Sequence, residues 1–491
     1  LAGIGKTNGT AAGNSGVVNI GNNSTTSLTL NGVFHTGGDT TYEAAAGETI
    51  LITDDTTIKT GSTATHDIAF STGEIDITDE KNLTINSGTG NITLVDIHGS
   101  ETTPDTVLDI DGATVSVGNI GQSGAKSEIN QVDIDATNVT LNGAIYVGGT
   151  SSKVDIDGAV SLATGDILID SITSDGAVTI TGTVTGTQNL DILSGSGAVT
   201  ITGNIGGQAL TSLDINATGA STGSGNISIL GNIGADGTSG AGIVNIGNSN
   251  TGSITLGTSG TESEYFTTGA QTYDGSLYYL NGTDPDFNAS SENIKFLDGL
   301  NGFNLAAAAD LTVDTGSGED GDINISGNII GVAGQTTTVT LEAGSGSVEI
   351  DGIIVNGSAG IGNVTVDGSG EVRTARNSGD VKKGGMSTDE YISKWLGHPA
   401  ENAFTNGFKA VSAALRKLSP DDLEAIFADG QRYVNMEIMY PKNPNIILYS
   451  SPNIVLHGLQ YFGDKEETPE MRQLTKQKFL IMLKKQLNLL I

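Results

Sequence analysis

Along most of the chain, apolar residues fall at every second position in short runs. VTLNGAI occupies 139–145, VSLATGDI 160–167, and GAVTITG stands twice, at 176–182 and 197–203. Such alternation buries one side of an extended strand and wets the other. Gly, Asn, Asp and Ser separate the runs, supplying turns and positive φ. The first valines of the four runs stand at 139, 160, 178 and 199, in steps of 21, 18 and 21. One supersecondary unit repeated about every twenty residues predicts a solenoid. A single coil cannot bury its apolar side alone, whereas stacked coils can. Some 18 coils paired in parallel would make a rod roughly 85 Å long. An array of β-sandwiches alternates in the same way and is the competing fold. The short step and the low aromatic content, 5% of the chain, favour the coil.

A longer repeat overlies the short one. GVVNIGNNSTTSLTL begins at Gly16 and GIVNIGNSNTGSITL at Gly242, an offset of 226. TYEAAAGETILI at 41–52 is echoed by TYDGSLYYL at 272–280. The second long copy breaks off near 370.

The helical period takes over from Ser387. Ser387 and Glu390 form a capping box before YISKWLG. Phe404, Phe408, Val411, Leu415 and Leu418 trace one helix face. Ser419-Pro420 starts another helix, the runs at 433–440, 445–450 and 453–462 read as strands, and Thr468-Pro469 opens a last amphipathic helix. The expectation is therefore a mainly β protein: an acidic Gly/Thr/Asn-rich parallel β-helix over 1–370, then a small α+β domain over 371–491.

Charge sharpens this seam. Residues 1–370 carry 6 lysines, no arginine and 42 Asp+Glu, a balance of −36. Residues 371–491 carry 16 Lys+Arg against 14 Asp+Glu, a balance of +2. The acidic part should repel nucleic acid and anionic membranes. No run of about 18 apolar residues predicts a transmembrane helix. No charged-then-apolar leader is visible, and the start at Leu1 reads as a fragment or a processed product. The chain has no cysteine, which removes disulfides, thiolate metal sites and cysteine nucleophiles.

The phrases TTGAQTYDGSLYYL, NLTINSGTGNITL and VTITGNIGG resemble the haemagglutinin-like β-strand-repeat exoproteins of bacteria. The resemblance covers nearly all of 1–370. It implies a right-handed parallel β-helix, secreted or on a cell surface, used in adhesion to glycans or proteins or in building a matrix.

RTARNSGDVKKGGMS, GHPAENAF and FADGQRYVNMEIMYPKNPNIILYSSPNIVLHGLQ resemble a phage-type nucleotidyltransferase of the RNA/DNA ligase superfamily, over about 371–465. In that family a lysine of a KxDG motif attacks the α-phosphate of ATP, with Mg²⁺ present. The resemblance implies nucleotide contacts at Arg376, Asn377, Glu437 and His457. The nucleophile should stand about ten residues before RTARN, where the chain reads TVDG, 365–368. Thr365 has no amine with which to form a phosphoramidate, so the implied domain is a non-catalytic remnant. The join has three readings: two unrelated sequences brought together, a natural fusion whose remnant caps the rod, or a phage-related structural protein.

Within 1–370 the chemistry-bearing candidates are acidic. DIDG at 109–112 and again at 155–158 places Asp109, Asp111, Asp155 and Asp157 as candidate Ca²⁺ ligands, since clustered carboxylates suit a hard cation. GEDGD at 318–322 is a further acidic group. The competing reading is that Asp and Asn punctuate turns. No arginine precedes Arg373 and histidine is confined to 35, 66 and 98, so no catalytic constellation is expected on the rod. Sequons such as those at Asn23 and Asn226 are expected by chance in so Asn- and Thr-rich a chain.

Overall fold

The computed structural model describes residues 1, 4, 16–61, 65–99, 105–123, 128–206, 210–217, 223–234, 240–299, 302–306, 310–316, 321–331, 337–355, 361–367, 372–377, 381–383 and 386–387. The α+β expectation beyond 387, with Glu437 and His457, lies outside them.

The chain winds into a parallel β-solenoid of about a dozen turns. Each turn visits three ladders in a fixed order. Strand Lys153–Leu162 shows how: Val154 and Ile156 lie on ladder I, and Val160 and Leu162, past a bend, on ladder II. Ile167–Asp170 follows on ladder III, and Ala177–Ile180 returns to ladder I, one turn on.

Every ladder is a column of apolar side chains in register. Ladder I runs Phe34, Ile58, Ile85, Ile110, Ile134, Ile156, Ile180, Ile201, Ile229, Leu256, Leu280, Leu305. All are buried. The alternation explains this: a strand that puts Ile134 inside puts Asp133 and Asp135 outside. Stacking like on like lets each β-branched side chain pack on its counterpart one turn away, at about 4.8 Å.

The step per turn departs from the expected twenty. Two of the three expected steps are true register pairs, Val139 with Val160 and Val178 with Val199. The step of 18 is not. Val160 lies on ladder II and Val178 on ladder I, so that interval crosses a corner. Val160 pairs instead with Val184, and Val154 with Val178. Turns are longer still where Ile205 pairs with Ile233 and Ile233 with Tyr265. Longer turns mean fewer of them: the expected 18 coils and 85 Å are corrected to about a dozen turns and about 60 Å.

Corner loops rather than strands absorb the variation. Asp and Asn side chains there accept the backbone N–H of the following turn: Asp39 from Asp67, Asp67 from Asn91, Asn204 from Asn232, Asp310 from Thr338. Such bonds satisfy donors that the ladder leaves over at the bends. Asn226, which stands in a sequon, accepts from Ser253 N–H in this way.

The long repeat is real in three dimensions. Val18, Asn19, Ile20 and Gly21 pair with Thr40 to Glu43. Their counterparts Val244 to Gly247 pair with Gln271 to Asp274. The following loop is built identically. Thr25 Oγ1 accepts from Asn22 N–H at 2.9 Å, and Thr251 Oγ1 from Asn248 N–H at 2.9 Å. Gly21 (φ +83°) and Gly247 (φ +86°) take the left-handed region, and a Cβ on either would run into the carbonyl oxygen of Glu43 or Asp274. Yet the first copy starts on ladder II and the second on ladder III. From Val18 the ladder steps through Thr40, Ile68, Ile92, Val115, Val139, Val160, Val184 and Ile205 to Ile233. Val244 lies one face beyond. The long repeat therefore advances nine turns plus one face.

Where the second copy begins, the core turns aromatic. Tyr265 stacks on Phe287 at 4.5 Å and Tyr273 on Phe296 at 5.0 Å, with Tyr278 and Phe303 packed alongside. Tyr42 on Phe70, at 4.7 Å, is the first-copy equivalent. Each such pair adds about 0.5–1.5 kcal/mol beyond its buried area.

Candidate functional site: the carboxylate columns

Asp109 and Asp111 lie on the outer side of ladder I, as do Asp155 and Asp157, but the two pairs are not neighbours. Asp133 and Asp135 stand between them. Register makes one column of Asp109, Asp133 and Asp155, and a second of Asp111, Asp135 and Asp157. The middle rung reads DIDA at 133–136 instead of DIDG, which hides it from a search for the motif. The signal that finds it is its place midway between the two DIDG runs, one turn from each. Six carboxylates thus form a grid about 4.8 Å apart along the rod.

Partners offset part of the repulsion. Lys153 Nζ lies 3.6 Å from Asp133 and 3.7 Å from Asp155. Asn86 Nδ2 donates to Asp111, and the Thr181 hydroxyl donates to Asp157. Burial, then the charges of Asp133 and Asp111, hold the Asp109 carboxyl above its ordinary value, with Lys59 and a hydrogen bond from Thr84 opposing. Burial, then Asp157, Asp133, Asp111 and Asp109, do the same to Asp135.

A calcium ion takes 6–8 oxygens at 2.3–2.6 Å. Among the described residues no group of three or more His, Asp or Glu side chains is gathered to hold a metal ion. The columns offer neighbouring pairs of carboxylates in place of a closed cage. Of the GEDGD group, Asp322 is described, and its Oδ1 accepts the Ser347 backbone N–H at 2.7 Å.

One cluster escaped the sequence. A turn of the coil brings His98 beside Glu74 and Asp76, with Nδ1 3.7 and 3.6 Å from their oxygens. A hydrogen bond to Asp76 raises the imidazole pKa; burial opposes, and the charges of Glu74, Asp76 and Asp96 reinforce it. The signal was positional: Asp76 and His98 are register partners, one turn apart on ladder III.

The nucleotide candidates fall differently. Arg376 and Asn377 lie in strand Val372–Asn377, in register with Ile353 and Ile354. Thr365, where the ligase-like resemblance implies a lysine, lies in strand Ile361–Asp367 opposite Thr340. Among the described residues, no helix is long and apolar enough to cross a membrane. No family model, curated protein or solved structure matches the chain.

Proposed function

We propose that the chain is a structural and adhesive element: a rigid acidic rod, right-handed as crossovers between parallel strands of one sheet are, secreted or displayed on a bacterial surface. The observation that carries this reading is the unbroken apolar column of ladder I from Phe34 to Leu305 beneath an acidic exterior. Such a scaffold spends its residues on length and on a repeated outer surface. The resemblance to haemagglutinin-like repeat exoproteins supports the same reading and points to glycans or matrix proteins as partners. Neighbouring carboxylates on ladder I would take up Ca²⁺ between turns.

The test displays the chain on a non-adherent bacterium and measures attachment to glycan arrays and matrix-coated surfaces, with and without calcium. Attachment above that of undisplayed cells is expected. Attachment no better than theirs on every surface would end the adhesive reading. The resemblance over 371–465 supports a second reading, a nucleotidyltransferase remnant using Arg376, Asn377, Glu437 and His457 toward ATP and Mg²⁺, or a phage-related structural protein. Incubation with α-labelled ATP and Mg²⁺ should leave the chain unlabelled; label on Lys382 or Lys383 would make it an enzyme.

A further inference from the structure

Past Asp367 the columns change character. Ladder II carries Phe287, Val313, Leu341 and Val366 in register, and ladder III carries Phe296, Ile325 and Ile350, all buried. The next register positions are Lys383 on ladder II and Thr374 on ladder III. The turn from Val366 to Lys383 is shorter than the one from Val139 to Val160. Met386–Ser387 then pairs antiparallel with Val381–Lys383, the one antiparallel pairing among the described residues.

We propose that strands 372–377, 381–383 and 386–387 form a closing turn of the rod, a built-in cap that covers the edge of the turn before it. The antiparallel return takes up backbone groups that a bare parallel edge would offer to another chain, the role that terminal repeats serve in stacked proteins. The abrupt change in composition at 370 is thus not the end of the ladder. Arg373, Arg376, Asn377, Lys382 and Lys383 belong to the cap. This inference stands apart from the surface role: a rod needs an end whatever it binds.

Hydrogen exchange on the full chain tests it. Amides in 372–377 and 381–383 should exchange far more slowly than those of an unstructured peptide. Exchange there at the unstructured rate, with 361–367 protected, would overturn the cap. A full-length Val372→Asp/Val381→Asp variant should lose protection over 361–367 and form concentration-dependent assemblies by light scattering, while 131–162 stays protected. If it stays monomeric with 361–367 as protected as before, the cap is equally overturned.

Discussion

Val160 pairs with Val184, not with Val178. Val160 and Val184 are successive rungs of ladder II, whereas Val178 lies on ladder I opposite Val154. A coil with three faces shows three alternating runs per turn. A reader who takes successive runs as successive turns counts too many.

The core column makes a first prediction. Ile134 is fully buried between Ile110 and Ile156. Ile134→Ala should cost about 2–5 kcal/mol, from lost transfer energy and a cavity that the stiff ladder cannot close. Because stacked turns contact only their neighbours, hydrogen exchange should accelerate at 108–111 and 154–156 and stay unchanged at 323–325. Uniform acceleration would show that the rod opens as a single unit.

Acid should stabilise the rod. Asp109 and Asp135 sit above their ordinary value of 3.8 in the fold, by burial first and like charge second. Burial and neighbouring carboxylates push Asp191, Asp286 and Glu342 the same way. The folded rod therefore holds protons that the unfolded chain releases. Stability rises as pH falls from 7 through the raised values, and the gain is complete near the ordinary ones. Tm should be higher at pH 4.5 than at pH 7, and Asp135→Asn should narrow the difference. A Tm that falls steadily with pH would contradict the stacked-charge account.

His98 acts in the same direction as these raised carboxylates. Its folded pKa is raised, first by the hydrogen bond to Asp76. The stabilisation is full below its ordinary 6.5 and is lost as pH rises through the folded value. An NMR titration should place His98 above an unperturbed histidine, and Asp76→Asn should lower it more than Glu74→Gln. Equal effects would mean that charge alone, not the hydrogen bond, sets the shift.

Among the described residues, Lys153 is the lysine that forms ion pairs within the carboxylate grid. It lies 3.6 Å from Asp133 and 3.7 Å from Asp155 on a partly exposed surface, so each contact contributes less than about 1 kcal/mol. Lys153→Ala should lower Tm at low salt and leave it unchanged at about 1 M salt, where the Debye length is near 3 Å. Adding Asp133→Asn to that variant should restore part of the loss. An effect that survives high salt would point to the packing of the lysine stem.

The alternation of apolar and polar positions made the parallel coil legible, because period-2 patterning and regular turns leave few other folds. The number of turns was not, because the interval between Val160 and Val178 crosses a corner that looks like a step. The carboxylate columns were half legible: Asp109, Asp111, Asp155 and Asp157 stand in the DIDG motif, while Asp133 and Asp135 join them through register alone. His98, Glu74 and Asp76 were invisible for the same reason. Proximity between residues a turn apart depends on loop lengths, and those vary from turn to turn.

The phase of the long repeat carries the last prediction. Val17 and Ile243 are equivalent positions in its two copies, 68% and 49% exposed. They are separated by nine turns plus one face, which sets them about 45 Å apart along the axis and on adjoining sides of the rod. A step of about twenty residues would instead make eleven turns, about 54 Å. With no native cysteine in the chain, Val17→Cys and Ile243→Cys can each carry one spin label without background. The pair should report the shorter axial separation. A second pair on ladder II, Thr140→Cys and Thr185→Cys, spans the two turns from Val139 to Val184 and calibrates the rise per turn. If the calibrated rise times nine and a third misses the long distance, then the copies do not sit on different faces. In that case, whatever surface the repeat displays would lie along one side of the rod instead of turning around it.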